Sequence, residues 1–89
     1  IASVPASNAW LYRVSKAALN MAVAAARFDY PRARLVALDP GWVQTDMGGA
    51  TAPVTLTNSV AGLRAVLASL NPEDNGQLIH FDGRRAAHW

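Results

Sequence analysis

Two apolar rhythms organise the chain. Residues 10–28 contain no glycine or proline, and Leu11, Val14, Ala18, Met21, Ala25 and Phe28 recur at three-four spacing, the signature of one helical face. Alanine and leucine dominate this stretch, and both lose little entropy on becoming helical. The abundant alanines let another backbone approach, so the helix is expected to be buried over much of its circumference. Tyr30-Pro31 ends it, because the residue before proline avoids the helical region. Residues 35–38 form a short apolar run stopped by Asp39-Pro40-Gly41, which predicts a buried strand closed by a sharp turn. Residues 42–55, with Gly48-Gly49 and Pro53, read as a long functional loop. A second helix follows, with Thr55 as N-cap, Asn58 in its first turn and Leu56, Val60, Leu63, Leu67 and Leu70 in rhythm, until Asn71-Pro72 stops it. Asn75-Gly76 then makes a turn, residues 77–81 a strand and Asp82-Gly83 a further turn. Residues 1–8, with Pro5, Ser3, Ser7 and Asn8, open the chain as a loop.

The order helix, strand, loop, helix, strand implies a right-handed parallel crossover. Two strands alone cannot make a parallel sheet covered on both faces. The remaining strands are expected outside these residues, and Ile1 reads as an internal residue of a longer parent. This is an α/β arrangement, but half of one.

Composition narrows the classes. The 89 residues suffice for one small domain, and 52% hydrophobic with 16% charged residues excludes disorder. The formal charge is +2, and the basic residues are scattered apart from Arg32/Arg34 and Arg84/Arg85. Nucleic acid binding needs a concentrated basic stripe, so these pairs are expected to be solvated surface. There is no cysteine, which excludes disulfide and thiolate chemistry and fits a reducing, cytoplasmic compartment. No apolar run approaches the roughly 20 residues of a membrane span. His80 and His88 stand far apart without a carboxylate cluster, so no metal site is expected. His80, between Ile79 and Phe81, reads as a sheet residue, and His88 as solvated.

The chemistry concentrates in Tyr12-Arg13-Val14-Ser15-Lys16. Residues four apart on a helix lie one turn above each other, so Tyr12 and Lys16 project from one face. A phenol ordinarily releases its proton only near pH 10, at about its unperturbed pKa, and a neighbouring ammonium favours the phenolate. Such a pair can serve as a tuned acid/base. Taken alone, the same spacing more often describes a half-buried ring beside a lysine stem. Ser15 has no histidine at a triad position, which argues against serine hydrolysis.

The continuation Tyr12-x-x-Ser15-Lys16-Ala17-Ala18-Leu19-Asn20 resembles the active-site helix, with its YxxxK motif, of the short-chain dehydrogenases/reductases. Leu38-Asp39-Pro40-Gly41-Trp42-Val43-Gln44-Thr45-Asp46-Met47 is similar to that family's Pro-Gly loop, and residues 76–83 to its last strand and turn. The wording of the loop resembles the C-factor-like, carbonyl-reductase-like branch. The resemblance covers essentially the whole chain, in the family's order. It implies that residues 1–89 are the C-terminal catalytic and substrate-loop half of a single Rossmann-like, doubly wound parallel-sheet domain.

The resemblance implies an oxidoreductase that interconverts carbonyl and alcohol groups with NAD or NADP. Tyr12 would be the general acid/base. Lys16 would favour its phenolate and bind the nicotinamide ribose. Pro40 and Gly41 would shape a turn against the nicotinamide, with Val43 and Thr45 meeting the carboxamide or a phosphate. Trp42 and Met47 would line or cover the pocket of a small carbonyl or alcohol substrate. Each has a plainer reading as well: Pro40-Gly41 as a strand stop, Thr45 as a cap, Trp42 as core, Gly48-Gly49 as turn formers. The family's substrate-holding serine lies about a dozen residues before its tyrosine, and neither Ser3 nor Ser7 is suitably placed. No G-x-G-x-x-G occurs, so the pyrophosphate site and the choice between NAD and NADP are not legible. The 89 residues alone are therefore expected to be inactive. The alternative is a non-catalytic fragment or assembly module that packs through its alanine-rich helix, the surface on which the resemblance implies homo-oligomers.

Overall fold

A computed structural model describes residues 9–43 and 53–86 of the chain. Helix α1 spans Trp10–Ala26, strand β1 Val36–Asp39, helix α2 Leu56–Ala68 and strand β2 Gln77–His80, with a 3-10 turn at Pro72–Asp74 before β2. The strands pair in parallel, Val36 opposite Gln77 through Asp39 opposite His80. This is the α/β arrangement with a parallel crossover that the apolar pattern predicts.

The boundaries shift by a residue or two, for identifiable reasons. Helix α1 stops at Ala26 because the following amides turn back three residues, Phe28 N–H to Ala25 O at 3.2 Å and Asp29 N–H to Ala26 O at 3.0 Å. Leu35 stays outside β1 because its N–H donates to the Asn75 side chain (3.0 Å) and its carbonyl accepts from Gly76 N–H (2.6 Å). Helix α2 begins as its sequence directs, with the Thr55 hydroxyl accepting from Asn58 N–H at 3.1 Å. It ends at Ala68, where the Ser69 hydroxyl donates back to Val66 O at 3.1 Å. Phe81 lies in the turn after β2, whose Gly83 N–H closes on His80 O at 2.9 Å.

Ile79, 0% exposed, is the centre of the core, with Val66 of α2 beside it in burial at 4%. The segment after β2 folds back along that strand: His80 N–H donates to Arg84 O (2.8 Å) and Ala86 N–H to Leu78 O (2.9 Å). Helix α2 approaches so closely that a Cβ on Gly62 would collide with the Phe81 carbonyl oxygen. Gly76 lies against the Arg27 side chain, which sets the C-terminal end of α1 beside the start of both strands. The N-terminal turns of α1 therefore reach toward the strands' carboxyl ends.

The expectation of a mostly buried α1 is not met: none of its residues is buried, and Leu11, Val14 and Met21 are 59–69% exposed. A sheet of two short strands has too little surface to cover both sides of a helix of this length. Among the described residues, no helix is long and apolar enough to cross a membrane.

Candidate active site

Tyr12 and Lys16 occupy successive turns of α1, and the Lys16 ammonium stands 5.7 Å from the centroid of the Tyr12 ring. Both are exposed at the surface of the helix. Ser15, between them, is occupied with its own helix: its hydroxyl donates to Tyr12 O at 2.7 Å, a local bond that leaves no nucleophile poised.

Tyr12 and Lys16 both line an open cleft of about 520 Å³ between α1 and β1. Its floor is apolar, from Leu19, Val23, Val36 and Leu38, while Asn20, Asp39 and Pro40 add polar atoms. Tyr12, Lys16 and Pro40, the first residue after β1, thus border one space. That space runs along the whole of β1, from Val36 to Asp39, and reaches Pro40 just beyond the strand's carboxyl end, the end at which open α/β sheets bind their ligands.

The turn itself is pinned from three elements. Asp39 Oδ1 accepts from Gly41 N–H at 2.9 Å. Asp39 Oδ2 meets His80 Nδ1 at 2.6 Å, across from β2. The buried Ser59 of α2 donates to Pro40 O at 2.7 Å. Gly41 has φ 78°, and a Cβ there would sit 2.8 Å from Phe81 Cε1, so the position accepts glycine and little else. Val43 forms an isolated parallel bridge with Val54, supported by Val54 N–H on Trp42 O at 3.2 Å.

The sequence-predicted residues therefore separate into groups. Tyr12, Lys16 and Pro40 border the cleft; Gly41 forms the turn beside it, and Val43 continues the chain away from that turn. Trp42 is 65% exposed and absent from the cleft lining, so it is not core. Thr45 and Met47 lie outside the described residues. Sequence reasoning missed Asp39 as the residue that shapes the turn, although an aspartate two before a glycine amide is a common turn device. It also missed Ser59, which carried no signal beyond its place on a helix. His80 is a strand residue as read, but its contact with Asp39 was not foreseen.

The basic pairs divide as well. Arg84 meets Asp82 at 2.7 Å on the surface. Arg85, read as solvated, instead holds the buried Asp74, Nε to Oδ1 at 3.0 Å and Nη2 to Oδ2 at 2.9 Å. Among the described residues there is no cluster that could hold a metal ion.

No known family profile matches the chain. It is 46% identical over 78 residues to the C-signal protein of Myxococcus xanthus, an alignment covering 85% of this chain and 47% of that protein. It is similar in structure to the carbonyl reductase Sniffer of Drosophila melanogaster, with TM-score 0.80 and 40% identity over 86% of this chain and 32% of the reductase. The NADPH-bound carbonyl reductase from chicken fatty liver matches with TM-score 0.82 and 41% identity, over 91% of this chain and 34% of that enzyme. The chain thus spans about half the length of the curated relative and a third of each reductase. Identity of this order together with a shared helix–strand–helix–strand fold marks the chain as similar to part of the short-chain dehydrogenases/reductases.

Proposed function

We propose that residues 1–89 supply the catalytic and substrate-loop half of a cytoplasmic NAD(P)-dependent enzyme that interconverts small carbonyl compounds and alcohols. The observation that carries this reading is the shared cleft. Tyr12 and Lys16, a helical turn apart with the ammonium 5.7 Å from the ring centroid, line the same space as Pro40 of the turn that ends β1. The reductases that the chain resembles are carbonyl reductases, one of them NADPH-bound, and this favours the same substrate class here.

The residues present fit the nicotinamide end of such a cofactor. Lys16 offers three donors and pairs with no carboxylate among the described residues, which suits a pair of ribose hydroxyls. Pro40 lines the cleft, and Gly41 continues the turn beside it without a side chain. When bound, the cofactor supplies or accepts the hydride at the substrate carbon. Tyr12 hands its phenolic proton to the substrate oxygen during reduction and takes it back during oxidation. Lys16 would orient the ribose and place its ammonium beside the phenol ring, 5.7 Å from its centroid. Val43 would meet the carboxamide, Thr45 the carboxamide or a nearby phosphate, and Trp42 and Met47 would line or cover the substrate pocket.

The test is Tyr12→Phe in the full-length protein that carries this chain. Loss of the proton donor should reduce turnover by about 10²–10⁴-fold while the thermal melt stays unchanged. Undiminished turnover would end the proposal. The exposed apolar residues of α1 favour a second reading, an assembly surface for a further copy or a remaining part of the protein. An assembly role predicts that Tyr12→Phe is silent, whereas Leu11→Glu or Met21→Glu disrupts association.

A further inference from the structure

We infer that His80 is a positioning residue for the Pro40-Gly41 turn, acting through the carboxylate of Asp39; its consequence for cofactor binding rests on the function proposed above. Asp39 and His80 are register partners at the ends of the two parallel strands. Their side chains meet at 2.6 Å, Nδ1 to Oδ2. The other carboxylate oxygen, Oδ1, accepts from Gly41 N–H at 2.9 Å. The carboxylate is therefore a two-ended brace. One end is fixed to β2, and the other fixes the first amide of the turn that borders the Tyr12–Lys16 cleft.

The brace has a definite proton arrangement. Ionised aspartate only accepts, so His80 must donate from Nδ1. Neutral imidazole does so as the Nδ1–H tautomer, and imidazolium does so as well, so the contact survives either charge state of the ring. Both side chains are partly shielded, 26% exposed for His80 and 41% for Asp39. Water competes only in part, and a charge-assisted bond here retains more strength than one on open surface. Ser59 anchors the neighbouring Pro40 carbonyl independently at 2.7 Å. Loss of His80 should therefore loosen the Gly41 end of the turn without releasing the Pro40 end.

Asparagine places its side-chain amide nitrogen near the position of imidazole Nδ1, whereas leucine places no donor there. This gives a pair of variants that separates the donor from the bulk. Nitrogen-15 spectra of the full chain should show neutral His80 as the Nδ1–H tautomer. His80→Leu should speed hydrogen exchange of the Gly41 amide by about tenfold or more, the loss of one charge-assisted hydrogen bond, and His80→Asn should restore it to within about twofold. In turnover assays with NADPH, His80→Leu should raise KM for the cofactor by about tenfold with little change in kcat, and His80→Asn should again restore it.

An Nε2–H tautomer for neutral His80, or Gly41 exchange that is equal in all three proteins, would overturn the inference. So would a fall in kcat at constant KM. The exchange and tautomer readouts need no catalysis, so they decide the positioning role even where Tyr12→Phe shows that the enzymatic reading is wrong.

Discussion

Arg85 grips the carboxylate of Asp74 with two parallel hydrogen bonds, at 3.0 and 2.9 Å, tying the segment after β2 to the 3-10 turn before it. Asp74 is 4% exposed, and its Oδ2 also accepts from Asn71 N–H at 3.0 Å. The Arg85 bonds, then the Asn71 amide, hold this carboxyl below its ordinary pKa, against the opposing effect of burial.

A depressed folded-state pKa means that the unfolded chain binds this proton more readily. The associated stability is present above the ordinary aspartate range and is lost as pH falls through the depressed value. Acid denaturation followed by circular dichroism should therefore show a loss of stability beginning below about pH 4. In Arg85→Met the acid-labile component should shrink and the melt at neutral pH should fall, because Asp74 then keeps its burial without its cation. Unchanged acid profiles in the two proteins would contradict the assignment.

Ser59→Ala tests the α2 side of the turn. Ser59 is 2% exposed and its hydroxyl donates to Pro40 O at 2.7 Å. Alanine fills nearly the same volume but leaves that carbonyl without its donor. Denaturant unfolding should show a loss of about 1–2 kcal/mol. The damage should be local: amide exchange should rise at the turn before it rises in β2.

Much of the fold was legible because it is written in short-range chemistry. Thr55 caps α2 as its side chain directs, and Asp39-Pro40-Gly41 ends β1 as its composition directs. The apolar rhythm of α1 located a helix but misjudged its burial. Periodicity reports which residues share a face, not whether a partner covers it, and the two described strands leave Leu11, Val14 and Met21 open to solvent. At the site, Tyr12 and Lys16 were readable because four-residue spacing on a helix fixes their relation. Ser59, His80 and Arg85 were not, because each acts on a residue eleven to forty-one positions away. Such pairings depend on strand register and helix docking, which no local pattern encodes.

Gly62→Ala should be more damaging than an ordinary helix substitution, although alanine is the better helix former. The new methyl would press on the backbone carbonyl of Phe81 and approach Phe81 Cδ2 to 3.3 Å. Backbone atoms yield less readily than a side chain, so α2 must move off the sheet, at about 1–3 kcal/mol. A thermal melt that rises would show that helix propensity outweighs the clash and that the helix–strand approach is looser than described.

Lys16 offers the final check on how the cleft works, because charge and stem can be separated. Its ammonium lies 5.7 Å from the Tyr12 ring centroid, close to the outer limit at which a cation and a ring face attract. That contact is too weak, on an exposed helix, to explain the residue structurally. Lys16→Met keeps most of the aliphatic stem at the cleft wall and removes the charge. Stability should hardly change. If the ammonium instead binds a ribose, kcat/KM should fall about ten- to hundredfold, the worth of a charged hydrogen bond. Lys16→Arg should recover only part of this, since a planar fork cannot present the compact donor of an ammonium. Equal activity in all three proteins would reduce Lys16 to a surface lysine and leave Tyr12 without its electrostatic partner.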